Sequence, residues 1–236
     1  MWSGPRNIST AMLRAFENRP DCAVLDEPFY GAYLKATGKK HPGDQEIIAS
    51  MDCDWQSVRH QLAGDVPGNK PVFYHKQMTH HMLMDANLDW MDDKVNCFLI
   101  RNPYEVVASY AEQIGEMQAE DVGFPQQQLL FERVLKTTGR IPAVLDCRDV
   151  LENPRGTLSA LCERIGIDFS EHMLQWPKGS RDTDGVWAKY WYKSVNESTS
   201  FAPYKPREIN LNAEQQRVAD ACLPHYEYLY QYRLTV

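Results

Sequence analysis

The sequence predicts an α/β fold with a central parallel β-sheet flanked by helices, and two observations support this prediction. Short apolar runs of strand length alternate with segments of helical periodicity in the order β, α, β, α, β, α, β, α, β, α. Strands that are separated by helices pair in parallel and need helices on both faces of the sheet. The chain is also 43% hydrophobic over 236 residues, enough for a sizeable core, and we expect a single domain over 1–236.

Five apolar runs are predicted as strands, at residues 1–3, 22–25, 72–74, 95–100 and 141–146. The run at 95–100 is the most strongly apolar of them. The first run leaves about three residues before its turn, against the usual five or six of a strand. We therefore expect the natural chain to begin further upstream.

Helical periodicity fills the segments between these strands. Ile8, Met12 and Phe16 recur every fourth residue and predict a helix with one face toward a core. A short helix and a loop are predicted at 29–40, and further helices at 44–62 as one or two helices and at 82–93, 103–114, 124–138 and 154–165. In the helix at 124–138, Leu129 and Leu130 are both expected to face inward.

The last part of the chain combines a long turn-rich segment with a predicted terminal helix. Residues 170–211 are rich in turns and aromatic side chains, and a loop of this length is usually functional or mobile. Aromatics beside Lys and Arg predict a lid over a nucleotide, although an ordinary packed tail has the same composition. Asn212 and Gln215 then have the spacing of a capping box, which predicts a C-terminal helix within 212–236.

The composition limits the partners of the chain. The formal charge is 25 − 32 = −7, so a broad nucleic-acid footprint is not expected, and an anionic ligand needs a local basic site. Six cysteines without a C-x-x-C pair predict reduced thiols and a cytoplasmic protein. We find no signal peptide, membrane-spanning run or lipidation motif, and therefore expect no membrane partner. Nothing in the sequence indicates an oligomeric state.

An anion site is predicted where the first strand turns into the first helix. The first N–H groups of a helix have no intrahelical partner, and the helix dipole makes that end positive. An anionic oxygen is readily held there by backbone donors. The residues placed to bind it are Gly4, Pro5, Arg6, Asn7, Ile8, Ser9 and Thr10. The alternative is an ordinary helix start with Asn7 or Ser9 as cap, and the nucleoside-triphosphatase pattern G-x-x-x-x-G-K-[ST] is absent.

Charged and titratable side chains follow the next three strands. Asp26 and Glu27 end the second strand, and Pro28 predicts an extended Glu27. Ligands of open α/β sheets lie beyond the carboxyl ends of strands, so these carboxylates are candidates for chemistry, with a solvated acidic turn as the alternative. The residues at 75–81, including Lys76 and His80, are expected beyond the end of the third strand and suit an anion or a proton transfer better than a metal.

Arg101 and Ser109 complete this set after the fourth strand. Arg101 ends the apolar run, and Ser109 lies eight residues later on the helix that Pro103 begins. The pair is placed to bind a second phosphate from two directions. Alone, Arg101 is equally suited to capping or to an ion pair.

These ordered motifs, at 3–10, at 26–28 and at 99–103 with Ser109, together resemble the sulfotransferase family that uses 3′-phosphoadenosine 5′-phosphosulfate. The resemblance is closest to the bacterial and carbohydrate-acting branches and covers about the first 115 residues well. It implies a P-loop-like α/β fold and transfer of a sulfuryl group to a hydroxyl or amine of a small-molecule or carbohydrate acceptor, without a required metal.

The resemblance also implies a role for each motif. The first loop binds the 5′-phosphosulfate, with Arg6 stabilising charge on the bridging oxygen, helped by Asn7, Ser9 and Thr10. Arg6 and Ile8 stand where the family usually has Lys and Gly. Arg101 and Ser109 match the 3′-phosphate site. Glu27 matches the general base of the carbohydrate-acting branch, while His80, or less well His81, matches the base of the cytosolic small-molecule branch.

Two other functions remain open from the sequence. One is a P-loop-like kinase, although the first loop supplies neither the usual Lys nor a clear magnesium ligand. The other is a catalytically weak nucleotide-binding protein on the same fold. The acceptor itself is not readable from the residues.

Overall fold

The chain folds around a five-stranded, fully parallel sheet, as the sequence predicts. The structure, a computed structural model, describes residues 1–83, 86–206 and 208–236. The strands are β1 Trp2–Ser3, β2 Cys22–Asp26, β3 Val72–Met78, β4 Cys97–Ile100 and β5 Ala143–Asp146. Their order across the sheet is β2-β3-β1-β4-β5. The predicted fold class is therefore confirmed.

Twelve helices are found among the described residues; they include most of the predicted helices and four short ones that the sequence analysis does not predict. Their bounds are α1 Ser9–Glu17, α2 Tyr30–Thr37, α3 Asp44–Ser50, α4 Trp55–Leu62, α5 Pro103–Ala111, α6 Ala119–Val122, α7 Phe124–Thr138, α8 Cys147–Glu152, α9 Pro154–Ile165, α10 Ala188–Trp191, α11 Lys193–Glu197 and α12 Ala213–Tyr230. Short 3₁₀ turns lie at Pro67–Asn69, Thr79–His81, Asp89–Met91 and Glu171–Leu174. Across the described residues, no helix combines the length and apolarity needed to cross a membrane.

The shortest strand is the central one. Trp2 of β1 pairs in register with Gln77 of β3 on one side and with Phe98 of β4 on the other. The indole N–H of Trp2 donates to the Asn96 side chain at 2.8 Å. Because β1 is central, the loop that follows Ser3 leaves the middle of the carboxyl edge of the sheet.

Helices cover both faces of the sheet with separate apolar clusters. On one face, buried residues of α1 pack with Leu158 and Leu161 of α9. On the other face, Phe98 and Val144 of the sheet pack with Phe131 of α7 and with α12. The helix α12 begins with the predicted capping box and continues through Pro224.

The structure corrects the prediction of a helix at 82–93. Residues 86–88 are irregular and only Asp89–Met91 form a 3₁₀ turn, while Met84 and Asp85 lie outside the described residues. The amide of Asn96 donates to the backbone carbonyls of Met91 and Lys94 at 2.8 and 2.9 Å. These bonds hold the chain in an irregular path into β4, which helical periodicity does not reveal.

Two further predictions are corrected. The strand β3 extends to Met78 instead of ending at Tyr74, because it has a partner on each side, β2 over its first part and β1 over its last. Lys76 is therefore inside the strand. Leu129 was expected to face inward but is 45% exposed, whereas its neighbour Leu130 is buried.

Candidate functional site

A cavity of about 530 Å³ lies at the carboxyl ends of the central strands. Its walls come from the first loop at 5–11, from the ends of β2, β3 and β4, and from part of the segment 191–205. Of the site residues predicted from the sequence, Gly4 and Asp26 do not line this cavity, whereas Pro5 to Thr10, Glu27, His80, Arg101 and Ser109 do. Ligand binding at this edge is what the fold favours.

The first loop is held in an unusual backbone conformation. Arg6 and Ile8 have φ angles of 61° and 51°, in the left-handed region that a β-branched residue such as Ile rarely adopts. The Asn7 amide donates to the carbonyl of Leu99 at 3.1 Å, and the Cys147 thiol contacts the Asn7 carbonyl at 3.1 Å. These buried contacts fix the turn from both sides.

The N-terminus of α1 is open toward the cavity. The residue preceding the helix is Ile8, no side chain caps the first turn, and that turn carries no acidic residue. The alternative prediction that Asn7 or Ser9 caps the helix is therefore wrong. The backbone donors of this turn suit an anion.

Gly4 has a packing role instead of a place in the cavity wall. A Cβ added there would lie 2.6 Å from the Val122 carbonyl oxygen. The loop and α6 therefore come into close contact only because residue 4 has no side chain.

The structure brings Arg6, Arg101 and Ser109 together. The Nε of Arg6 donates to the Ser109 hydroxyl at 2.9 Å, and Nη1 of Arg101 donates to the Arg6 carbonyl at 2.7 Å. Arg101 also pairs with Glu105 at 2.7 Å, and Glu105 accepts from the Tyr204 hydroxyl at 3.0 Å. The two predicted phosphate sites are thus adjacent and lie against the segment that contains Tyr204.

Glu27 lies in a buried ion-pair network at the ends of β2 and β3. Lys76 is 1% exposed, and its ammonium donates to Asp26 at 2.9 Å and to Glu27 at 2.6 Å. Burial raises the pKa of the Glu27 carboxyl, against the opposing effect of Lys76. Burial alone would lower the pKa of Lys76, but Asp26 and Glu27 outweigh it and the pKa is raised. The group of three carries one excess negative charge when all are ionised.

The conformation of Glu27 differs from the prediction. Pro28 was expected to keep Glu27 extended, yet its φ angle is 43°, in the left-handed region. The Glu27 amide donates to the Lys76 carbonyl and the Tyr30 amide donates to the Glu27 carbonyl, both at 3.0 Å. This tight turn between β2 and α2 overrides the preference of a residue that precedes proline.

Tyr192 is a site residue that the sequence did not single out. Its hydroxyl accepts from Lys76 at 2.6 Å, donates to Asp26 at 2.5 Å and accepts from the Trp187 indole at 3.0 Å. Tyr192 is separated from Lys76 by 116 positions. The only signal in the sequence was the aromatic composition of the 170–211 segment.

His80 and His81 lie in the 3₁₀ turn after β3 and are buried, with 6% and 1% exposure. Burial lowers the pKa of His80 to about 3 and that of His81 well below its usual value. The His81 ring stacks with those of Tyr30 and Tyr33 at centroid distances of 4.7 and 4.9 Å. Both imidazoles are therefore neutral at physiological pH. Within the described part of the chain, no group of three or more His, Cys, Asp or Glu is arranged to hold a metal.

Comparison with known proteins identifies the class to which this fold and site belong. The family model described as sulfotransferase domain matches residues 1–231, so the chain belongs to the sulfotransferase domain family. This confirms the resemblance that the ordered motifs suggest.

Two curated relatives are proteins of Arabidopsis thaliana, the branched-chain-amino-acid aminotransferase-like proteins 2 and 1. The chain is 31% identical to the first over 228 residues and 32% identical to the second over 229. The matches cover 97% of this chain and 40% of each relative, so the chain spans well under half of their length.

Two solved structures also match over nearly the whole chain. The sulfotransferase domain from the curacin biosynthetic pathway is 14% identical with a TM-score of 0.47, covering 99% of this chain and 97% of that one. The sulfotransferase domain from the Synechococcus olefin synthase is 16% identical with a TM-score of 0.49, covering 99% and 94%.

Proposed function

We propose that this chain transfers a sulfuryl group from 3′-phosphoadenosine 5′-phosphosulfate to a hydroxyl or amine of a small-molecule or carbohydrate acceptor. One observation carries the proposal: a single cavity contains the open N-terminus of α1, the Arg6–Ser109–Arg101 contacts and the carboxylate of Glu27. The membership in the sulfotransferase domain family supports the reaction type.

The residues of this cavity fit a nucleotide that carries two anionic groups. The N–H groups at the start of α1 and the guanidinium of Arg6 would bind the 5′-phosphosulfate. Arg101 and Ser109 would bind the 3′-phosphate, next to Arg6. When bound, the nucleotide supplies the sulfuryl group and a 5′-phosphate as leaving group.

Glu27 would act as the general base. Its carboxylate takes the proton from the acceptor hydroxyl as the acceptor oxygen bonds to sulfur. The bond from sulfur to the bridging oxygen breaks, and its electron pair remains on the 5′-phosphate, where Arg6 and the α1 amides stabilise the charge. A sulfate ester carries less charge than a phosphate ester, so we assign this stabilisation to the protein without a metal ion.

We propose Glu27 as the base in preference to His80. A general base is most effective with a pKa near the working pH, and burial raises the pKa of Glu27 while it lowers that of His80 to about 3. Lys76 holds the Glu27 carboxylate in place at 2.6 Å.

We further propose a single domain over 1–236, in which residues 170–211 form the lid of the cavity. Contacts of this segment with Lys76 and Glu105 support the arrangement. A cytoplasmic location is proposed on the six unpaired cysteines, five of them buried, which fit a reducing compartment.

The test is calorimetric titration of the chain with 3′-phosphoadenosine 5′-phosphate, in parallel with ATP and magnesium. We expect binding of the former and a loss of affinity on the order of ten- to a hundredfold in Arg101→Ala, since charge-assisted hydrogen bonds are removed. The matched control is Arg155→Ala, which removes an exposed Arg that pairs with Glu171 and does not line the cavity.

Tighter binding of ATP with magnesium would contradict this proposal and favour the P-loop-like kinase. Binding of the adenosine bisphosphate without transfer to any hydroxyl or amine acceptor would favour the catalytically weak nucleotide-binding protein. Binding of neither nucleotide would contradict both.

A further inference from the structure

The hydroxyl of Tyr192 belongs to the ion-pair network that contains Glu27. Tyr192 is 3% exposed, and its hydroxyl oxygen lies 2.5 Å from Oδ2 of Asp26. The same oxygen lies 2.6 Å from the Lys76 ammonium and 3.0 Å from the Trp187 indole nitrogen. The hydroxyl therefore has one carboxylate and two N–H groups as neighbours.

These neighbours determine where the hydroxyl hydrogen lies. An ammonium and an indole N–H can only donate, and a tyrosine hydroxyl has one hydrogen and two lone pairs. Lys76 and Trp187 use both lone pairs, so the hydrogen lies in the contact with Asp26. Burial, together with Asp26 and Glu27, raises the pKa of the Tyr192 hydroxyl well above its usual value, so this hydrogen stays on the phenol.

The same contacts leave no favourable place for a proton on Asp26. Its Oδ1 accepts from Lys76 at 2.9 Å, its Oδ2 accepts from Tyr192, and its side chain is 1% exposed. A buried carboxyl O–H needs an acceptor, and neither neighbour has a lone pair left to accept it. The Glu27 side chain is 10% exposed and lines the cavity, so it can exchange a proton there.

The other titratable groups near Glu27 do not compete for this proton. Burial raises the pKa of the Tyr30 hydroxyl on α2 and that of the Tyr110 hydroxyl on α5, so both phenols are neutral. Burial also lowers the pKa of His81, which follows β3 and acts on Lys76, well below its usual value. The position of the proton is therefore decided within the network itself.

We propose that Tyr192 is a positioning residue that confines the exchangeable proton of the Asp26–Glu27 pair to Glu27. Two adjacent carboxylates that share one ammonium take up their first proton as a pair unless their surroundings differ. Tyr192 makes them differ, because it satisfies the inner carboxylate and leaves the one at the cavity as the base. For its role in catalysis this inference rests on the proposed function, in which Glu27 takes the proton of the acceptor.

Carbon-13 NMR of the carboxyl carbons in the full chain tests where the proton binds, and it does not require sulfuryl transfer. The two signals are assigned by their loss in Asp26→Asn and in Glu27→Gln. Between about pH 4 and pH 10 we expect the Glu27 carbon to show the full shift of a titrating carboxyl. The Asp26 carbon should show at most about a fifth of that shift, from the change in charge beside it.

The variant Tyr192→Phe keeps the ring and removes the hydroxyl. Asp26 then loses a hydrogen bond to its charged form, so we expect the apparent pKa of the pair to rise by about one unit and both carbons to shift together. The loss of kcat at low pH should begin about one unit higher for the same reason. The matched control is Tyr190→Phe, which removes a hydroxyl bonded to Glu46 at 3.3 Å and should change neither titration.

The variant Asp26→Asn shows whether Tyr192 acts through Asp26. Because Asn cannot take up the proton, adding Tyr192→Phe to Asp26→Asn should change the apparent pKa of Glu27 by less than about 0.3 unit. A shift as large as in the chain that retains Asp26 would overturn the proposed role of Tyr192.

The outcomes separate this inference from the proposed function. Proton uptake at Asp26 in the unmodified chain overturns the inference, and so do unchanged titrations in Tyr192→Phe. If Tyr192→Phe does not fold, as judged by thermal unfolding, the titration of the unmodified chain still decides. Absence of nucleotide binding and of sulfuryl transfer contradicts the proposed function, while the carbon signals still report where the proton binds.

Discussion

At the scale of single residues, the backbone of Ile8 is the clearest sign of a constrained loop. Its φ of 51° and ψ of 18° place a β-branched residue in the left-handed region, which costs roughly 1–2 kcal/mol for an L-residue. Contacts on both sides of neighbouring Asn7 hold the loop in this form. Strain of this kind persists where the surrounding structure over-determines the backbone, often at functional sites.

The strain at Ile8 gives a prediction about stability. Ile8→Gly and Ile8→Ala both remove the side chain beyond Cβ, but only glycine lacks the Cβ that causes the left-handed strain. We expect Ile8→Gly to be about 1 kcal/mol more stable than Ile8→Ala in urea unfolding. At Ala11, inside α1, Ala11→Gly should instead lower the free energy of unfolding by about 1 kcal/mol. A more stable Ile8→Ala would mean that the loop is not strained.

Glu27 allows a prediction about catalysis. Glu27→Gln keeps the shape of the side chain but cannot take a proton, so turnover should fall about a hundred- to ten-thousand-fold. The affinity for 3′-phosphoadenosine 5′-phosphate should stay within about twofold, since Glu27 is not assigned to the nucleotide. Steady-state kinetics and calorimetry measure the two quantities.

The pH dependence follows from the raised pKa of Glu27. A base is active only when deprotonated, so activity should be lost as the pH falls through this pKa, which lies above the usual value of about 4.3 for Glu. The activity of Glu27→Gln should not show this loss at low pH. The control variant Glu163→Gln, changed at an exposed position, should still show it. Full turnover in Glu27→Gln would remove Glu27 from the mechanism.

At the scale of elements, the helix α1 and the 170–211 segment are tied by a buried ion pair. Arg14 and Asp184 approach to 2.7 Å, with side chains 1% and 5% exposed, and Arg14 also donates to Asn196 at 3.3 Å. The N-terminus of α1 belongs to the first loop, and the 170–211 segment carries Tyr192. This pair therefore links the 170–211 segment to the helix that begins at the proposed nucleotide site.

Breaking this ion pair should lower the free energy of unfolding. Asp184→Ala removes the shorter of the two carboxylate contacts of buried Arg14 and leaves Glu17 at 3.4 Å, so we expect a loss of about 3 kcal/mol in unfolding free energy, at the lower end for a broken buried ion pair. The exposed pair of Arg148 and Glu152 is the control, because Glu152→Ala should cost less than about 1 kcal/mol. Adding Arg14→Met to Asp184→Ala should restore part of the loss. Equal losses of unfolding free energy in Asp184→Ala and Glu152→Ala would contradict the inference that a buried ion pair holds the 170–211 segment against α1.

At the scale of the whole molecule, the sheet order brings the three sequence motifs together in a chain of net charge −7. The order β2-β3-β1-β4-β5 places the ends of β2, β1 and β4 along one edge. The three motifs, spread over about a hundred residues, therefore meet in one cavity. Arg6, Lys76, Arg101 and Lys205 line this cavity beside one carboxylate, Glu27, so the local charge differs in sign from the overall charge.

Much of the fold followed from the sequence. The alternation of apolar runs and helical periods predicted the parallel sheet, and the bounds of α7 and the capping box of α12 agree with the structure. Predictions failed where tertiary contacts override local patterns, as in the irregular path that Asn96 stabilises before β4 and in the left-handed Glu27. The catalytic and nucleotide-binding roles of the site residues stay predictions.

The sequence alone predicted which residues at the ends of strands line the cavity. Local periodicity indicates where each strand ends, and parallel strands end at the same edge of the sheet. Only the tertiary structure decided that Lys76 is buried between Asp26, Glu27 and Tyr192, and that His80 and His81 are neutral. A buried charge needs a partner, and burial lowers the pKa of an imidazole because it disfavours the protonated form. The partners of a buried side chain depend on how segments distant in the sequence pack together. A local pattern of residues does not predict that packing.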